Sequence, residues 1–267
     1  MLSLLIAASL ATATPAVMPV EAAAEHAEPA MFMVRDADTT IYLFGTFHAL
    51  DGKADWFSND VKSAFDQSGE LVLETLVPEN PSKVLVRPAV QSLPVTTSAS
   101  FLGTTRLAID AGKSQGMNVA NGADMVLRRA AEADGKDVEG LETLESQLTM
   151  FTKMPPAPVR PLRAGEPVDD GHVAMNQLSH AMSDMQLAWK HGDQRVFVSM
   201  LSQLEGASPD TYRMLFVERN VRWADWIAAR LQTPGTVFVA VGAGHLAGKD
   251  SVLVRLAQRG IESARLN

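Results

Sequence analysis

The sequence predicts an α/β fold: a central, mostly parallel sheet flanked by helices, with a helical region inserted before the last strand, all in a single domain. Three observations carry this. Short apolar runs rich in β-branched and aromatic residues recur at 40–44, 71–74, 138–141 and 236–241. Helical spacing fills the gaps between the first three, the order that βαβ units produce. A long helical stretch from His172 to Leu231 then separates the third run from the fourth.

Residues 1–10 are nearly all apolar, Pro15 and Pro19 follow, and Ala22-Ala23-Ala24 offers the small residues that a signal peptidase reads. Residues 1–24 are therefore expected to be a signal peptide and 25–267 an exported, periplasmic or secreted α/β domain, although no Lys or Arg precedes the apolar run. The run falls short of the about 20 residues a spanning helix needs, and nothing later approaches that length. No stable membrane span is expected after signal removal.

A polar leader up to residue 39 precedes the first strand. Thr40-Ile41-Tyr42-Leu43-Phe44 enters a turn at Gly45, and residues 55–67 carry Phe57, Val61, Ala64 and Phe65 at helical spacing, stopped by Ser68-Gly69. With 71–74 as the next strand, this reads as a right-handed crossover between parallel strands. Residues 80–122 show weak periodicity, with a helix expected over 105–115 and the rest as an insertion over the site. Asp124 caps a helix through Ala133, 138–141 is a strand, and a helix starts near Thr143. Residues 154–171 hold five prolines and two glycines and read as a loop or hinge. Helices at 172–190, 194–204 and 209–231 follow, then the strand Thr236-Val237-Phe238-Val239-Ala240-Val241 and a helix over 251–258 closed by Gly260.

With 46% hydrophobic and 20% charged residues among 267, the chain can bury a full core. A net charge of −8 and a pI near 5.2 argue against nucleic acid as partner. The absence of cysteine excludes disulfides and thiolate metal sites, so any metal must take His and carboxylate ligands.

Gly45-Thr46-Phe47-His48 and Gly242-Ala243-Gly244-His245 form a small internal repeat, each a buried strand followed by Gly-x-x-His. Ligands of parallel α/β sheets bind outside the carboxyl ends of the strands, where both imidazoles are expected. The bland alternative is that each His caps a strand; two in matching contexts favour a shared site. Glu74 ends a strand at the same edge and is expected as ligand or general base. Glu142 sits similarly at the next strand end, with a helix N-terminal acid as the equal alternative. Arg219 falls inside the apolar stripe Tyr212, Leu215, Phe216, Trp223, Trp226 and Ile227, so it must meet a carboxylate or an anionic ligand. An ion pair with Glu74 satisfies both its functional and its structural reading. Glu218 lies off the stripe and is expected to pair with Arg222. His172, His180 and His191 lack metal-ligand spacing, and Asp124 reads as a cap rather than a ligand.

In order, Ile41-Tyr42-Leu43-Phe44-Gly45-Thr46-Phe47-His48, Leu71-Val72-Leu73-Glu74, Val138-Glu139-Gly140-Leu141-Glu142-Thr143-Leu144-Glu145-Ser146-Gln147, Glu218-Arg219-Asn220 and Val241-Gly242-Ala243-Gly244-His245-Leu246-Ala247-Gly248 resemble the TraB/GumN family. That family includes the TIKI proteases and is distantly similar to erythromycin esterases and ChaN-like haem-binding proteins. The resemblance implies a site of His48, Glu74 and His245, with Arg219, Asn220 and Glu142 in support, and in TIKI-like members a metal-dependent protease activity. It transmits no substrate.

The expectation is a hydrolase of amide (peptide) or ester bonds acting on a peptide or small molecule. His48 and His245 hold a divalent ion (zinc, manganese or cobalt) or polarise the substrate, Glu74 activates water, and Arg219 stabilises the oxyanion or orients Glu74. The rival is a non-catalytic binding protein for haem or another ligand; an accessory factor in polysaccharide export is a third reading. His48→Ala and Glu74→Gln are each expected to abolish activity with little change in melting temperature.

Overall fold

The computed structural model describes residues 25–76, 110–154 and 172–267. The expected signal peptide, the proline-rich loop beyond Met154, residues 105–109 of the expected 105–115 helix and most of the expected 80–122 insertion lie outside these. Residues 110–114 are helical.

Six strands form the main sheet in the order β6-β5-β7-β3-β2-β8: β2 Met31–Arg35, β3 Thr39–Thr46, β5 Glu70–Thr75, β6 Asp137–Glu142, β7 Gly235–Gly242 and β8 Ala264–Arg265. A two-stranded parallel ribbon joins β1 Glu25–His26 to β4 Ala54–Asp55. The four strands predicted from sequence are all present, and β6, β5, β7 and β3 run parallel. The polar-leader reading is corrected: Met31–Arg35 is a strand antiparallel to β3, with Met31, Phe32 and Val34 buried. Its methionines carry no strong strand propensity, so pairing rather than local preference makes the strand.

The β3-to-β5 crossover skips a position. β7 lies between them, hydrogen-bonded to both in parallel register, with Thr46 opposite Gly242 and Leu73 opposite Ala240. The most continuously apolar segment takes the centre because there both faces are covered. Strand alternation divides the core accordingly. Phe44, Leu71, Leu73, Phe238 and Ala240 face one cluster with Trp56, Phe65, Leu127 and Trp189. Ile41, Leu43, Val72, Val237, Val239 and Val241 face the other with Trp223, Ile227 and Leu256.

Helices supply the outer layers: α1 Asn59–Gln67, α2 Ala123–Ala133, α3 Leu144–Thr152, α4 His172–Lys190, α5 Arg195–Ala207, α6 Pro209–Tyr212, α7 Glu218–Arg230 and α8 Val252–Ala257. Thr143 and Ser251 cap α3 and α8 with their hydroxyls. The single helix expected over 209–231 is interrupted by a π-helical segment, Arg213–Val217. No Gly or Pro announces it, and it stands directly before Arg219, as π turns often stand at functional sites. Among the described residues no helix is long and apolar enough to cross a membrane.

Candidate active site

The parallel strands end at one edge of the sheet, and the polar residues gather there. Glu74 follows Val72 on the same face of β5 and so points toward α7, the helix that carries Arg219, Asn220 and Trp223. Arg219 bridges two carboxylates. Its Nη2 donates to Glu74 Oε1, while its Nε donates to both oxygens of Glu142 at 3.0 and 3.1 Å. The Arg219 and Glu142 side chains are each only 5% exposed, so the charges are satisfied by one another rather than by water. Glu142 also receives Arg222 at 3.0 Å.

Gly242 shows how closely the site converges. A Cβ there would lie 3.5 Å from His48 Nε2, 3.6 Å from Glu74 Oε2 and 3.6 Å from His245 Cδ2. The three side chains expected to share a site therefore surround one residue, each within van der Waals reach of its Cβ position. Neither Gly45 nor Gly242 has positive φ. Gly45 serves close approach, since a Cβ there would lie 3.2 Å from Ala243 Cα, and not the sharp turn expected at the strand exit.

Each imidazole is held at Nδ1. His245 Nδ1 lies 2.6 Å from Asn220 Oδ1, and Asn220 Nδ2 donates to the Asp250 carbonyl at 2.8 Å. Because that amide oxygen only accepts, Nδ1 of His245 carries the proton and the Nε2 lone pair faces the site, 3.3 Å from Arg219 Nη1. Burial, between Phe216 and Trp223, pushes the His245 pKa down to about 3. The ring is neutral at ordinary pH.

His48 Nδ1 lies 2.7 Å from Asp124 Oδ2, and Thr46 Oγ1 donates to Asp124 Oδ1 at 2.7 Å. The Asp124 carboxylate raises the His48 pKa to about 9, against the effect of desolvation. The His48 side chain is 66% exposed, so water reaching its outer edge screens part of that attraction. Burial pushes Glu74 up, but His245 when protonated, then Arg219 and His48, outweigh it and hold the carboxyl at about 2. With His245 neutral the largest of these charges is gone, and Arg219 and His48 alone act to lower the carboxyl.

The expected residues thus come together: His48, Glu74, His245 and Arg219 at the centre, Asn220 and Glu142 behind them. Two expectations are corrected. Glu218 meets Arg213 at 3.5 Å, and Arg222 turns instead to the buried Glu142, which offers a drier partner. Asp124 is not the cap of α2; Gly122 takes that position, and the Asp124 side chain goes to His48 and Thr46. Gly122 permits this approach of the helix start to His48, since a Cβ there would sit 2.1 Å from the His48 carbonyl oxygen. Sequence reasoning missed the Asp124–His48 pair because 76 residues separate the partners and Asp at a helix start is ordinary. His180 and His191 are exposed and outside the site.

Above the floor opens a cavity of about 980 Å³, walled by apolar side chains, chiefly Met and Phe. Gln147 stands at its edge, its amide nitrogen 3.5 Å from Glu74 Oε1. Among the described residues no group of three or more His, Asp or Glu is drawn in to coordinate one ion. Both imidazoles are nevertheless anchored at Nδ1, the anchoring that metal-bound histidines commonly show, with Arg219 Nη1 standing 3.3 Å from Nε2 of His245.

Fold and site together define an α/β protein with a polar centre at the carboxyl edge of a mostly parallel sheet. The family model described as TraB/PrgY/gumN family matches residues 30–97 and 90–265, and the chain belongs to that family. No curated protein and no solved structure matches it.

Proposed function

We propose that the chain hydrolyses an amide or ester bond of a substrate held in the cavity over His48, Glu74, Arg219 and His245. The observation that carries this reading is the convergence of two imidazoles and a carboxylate over Gly242, at the floor of a cavity large enough for an organic substrate. Arg219 and Gln147 both donate to Oε1 of Glu74, whereas Oε2 accepts only the long Gly242 N–H bond of 3.4 Å and keeps a lone pair with which to act. Glu74 Oε2 orients a water and takes one of its protons as the water oxygen bonds to the substrate carbonyl carbon. The acidity of that water rises as the bond forms, which suits a carboxylate that is a weak base at rest.

His48, held as imidazolium by Asp124, gives its Nε2 proton to the departing nitrogen or oxygen as the carbon–heteroatom bond breaks. The proton on Glu74 then restores His48, and the products are an acid and an amine or alcohol. The Arg219 guanidinium, held at Nη1 by the Leu215 carbonyl and the Nε2 lone pair of neutral His245, supplies a fixed positive charge beside the developing oxyanion, most effective in a dry site. His48 Nε2, His245 Nε2 and Glu74 Oε2 would hold a zinc, manganese or cobalt ion, which when bound polarises a carbonyl and acidifies water. His48 must give up its proton to serve in that way.

A second reading, a binding protein for haem or another apolar ligand, is favoured by the apolar wall of the cavity. Turnover separates the two. Purified protein is assayed on peptide and ester libraries with and without chelator, alongside elemental analysis of wild type and His245→Ala. Hydrolysis lost in Glu74→Gln supports the enzyme; stoichiometric ligand capture with no turnover under any metal supports the binder. The apolar leader supports export, which N-terminal sequencing of the mature protein tests.

A further inference from the structure

Two cavities meet at the His48–Glu74 edge. The larger holds about 980 Å³; the smaller, about 260 Å³, is lined by Leu73, Thr75, Asp124 and Met125 among others. His48, Glu74 and Gln147 line both, so they stand at a waist between unequal chambers. Ligand pockets run from about 300 to 1,000 Å³. The larger chamber therefore suits a bulky group and the smaller a compact one.

The chambers differ in chemistry as well as size. Phe47, Phe151, Met117, Met182, Met185 and Met200 wall the larger. Among the described residues, the few polar side chains away from its floor have partners of their own: Thr46 with Asp124 at 2.7 Å, Asn118 Oδ1 with the Ala120 N–H at 2.9 Å, and Lys113 loosely with Asp110 at 3.6 Å. An extended peptide laid along this wall would bring an N–H and a C=O per residue and find few side-chain partners, and each unpaired group is costly. A hydrocarbon chain brings none. Unbranched methionine side chains reshape readily around such a chain.

We propose that the substrate is an acyl ester or N-acyl amide whose hydrocarbon chain fills the methionine-lined chamber, with its carbonyl at the waist and a compact leaving group in the smaller pocket. This rests on the hydrolase reading above and narrows it. Gln147, whose amide is held to Glu74 only at 3.5 Å, is positioned to turn toward the substrate carbonyl or leaving group.

The test uses the full-length protein and N-acyl alanines from acetyl to decanoyl. The ratio kcat/KM is expected to rise by up to about fourfold per buried methylene, mainly through KM. Replacing the alanine by tryptophan lowers it by at least about tenfold, because the small pocket cannot take the indole. Met185→Asp removes most of the decanoyl advantage, seen as a KM effect larger for decanoyl than for acetyl. Turnover independent of chain length, equal tolerance of bulk on both sides, or a preference for a peptide over a hydrocarbon of equal length would overturn the inference. Should no substrate turn over, the hydrolase reading fails, and calorimetry with acetate through decanoate reads the chamber separately. Affinity rising with chain length then upholds the hydrocarbon site, and its absence ends it.

Discussion

The two Gly-x-x-His turns are alike in sequence and opposite in environment. His48 stands at the cavity mouth with its side chain 66% exposed, paired with a carboxylate and pushed up to about 9. His245 is 6% exposed, paired with a neutral amide, flanked by Phe216 and Trp223, and pushed down to about 3. A repeated motif therefore need not supply a repeated function. What decides each ring's charge is the Asp124 carboxylate behind Nδ1 in the case of His48 and burial away from water in the case of His245. The pair offers one imidazolium and one neutral imidazole over the same glycine, an arrangement that separates proton donation from lone-pair donation.

The comparison breaks most visibly on the buried side. Arg219→Ala leaves Glu74 and Glu142 facing each other without their shared guanidinium, and is expected to cost about 3–5 kcal/mol in urea unfolding. A loss below about 1 kcal/mol, the range of an exposed pair, would mean that water already compensates these charges. Glu74→Gln is expected to lose turnover and also some stability, since Arg219 keeps only one of its two carboxylates, Glu142. This departs from the small change in melting temperature expected from the sequence, because Glu74 is tied into a buried pair. Asn220→Leu removes the acceptor that fixes His245 and leaves the Nδ1 donor unpaired, at a cost of about 1–3 kcal/mol. An unchanged melting curve would show that His245 finds another partner.

On the exposed side the effects divide differently. His48→Ala is expected to cost no more than about 1 kcal/mol, since it removes an exposed ring whose pair with Asp124 is screened by water. Turnover should fall by about 10²–10⁴-fold, the span of one general acid. Equal losses of stability in His48→Ala and Arg219→Ala would erase the contrast between the turns.

The legible part of this molecule was the part written in local pattern. The β3 and β7 runs, their glycine exits and the position of Arg219 inside an apolar stripe all follow from spacing along the chain, and so do the strand ends that carry Glu74 and Glu142. What could not be read were pairings between distant segments. Asp124 behind His48, the place of β7 between β3 and β5, and the antiparallel edge strand Met31–Arg35 depend on which surfaces meet after folding. The π segment before Arg219 belongs with these, because ordinary helix-forming residues carry it. Side-chain direction was legible where strand alternation fixed it, as for Glu74, and not where a helix start brings an acid to a distant ring.

The finest test is titration of the two imidazoles by NMR in chelator-treated protein. His48 should stay protonated through neutral pH and release its proton near 9, and His245 should stay neutral down to about pH 3. The signs for stability are opposite. A raised folded pKa means that the His48 contribution is complete below its unfolded value of about 6.5 and fades as pH rises through about 9. A lowered one means that His245 costs nothing above about 6.5 and increasingly disfavours the fold as pH falls from there toward 3, since the unfolded chain binds the proton first. Asp124→Asn should bring the His48 titration back toward about 6.5 while leaving that of His245 unmoved. Movement of both would mean that the rings titrate as one coupled pair, and the distinction between a charged and a neutral turn would have to be given up.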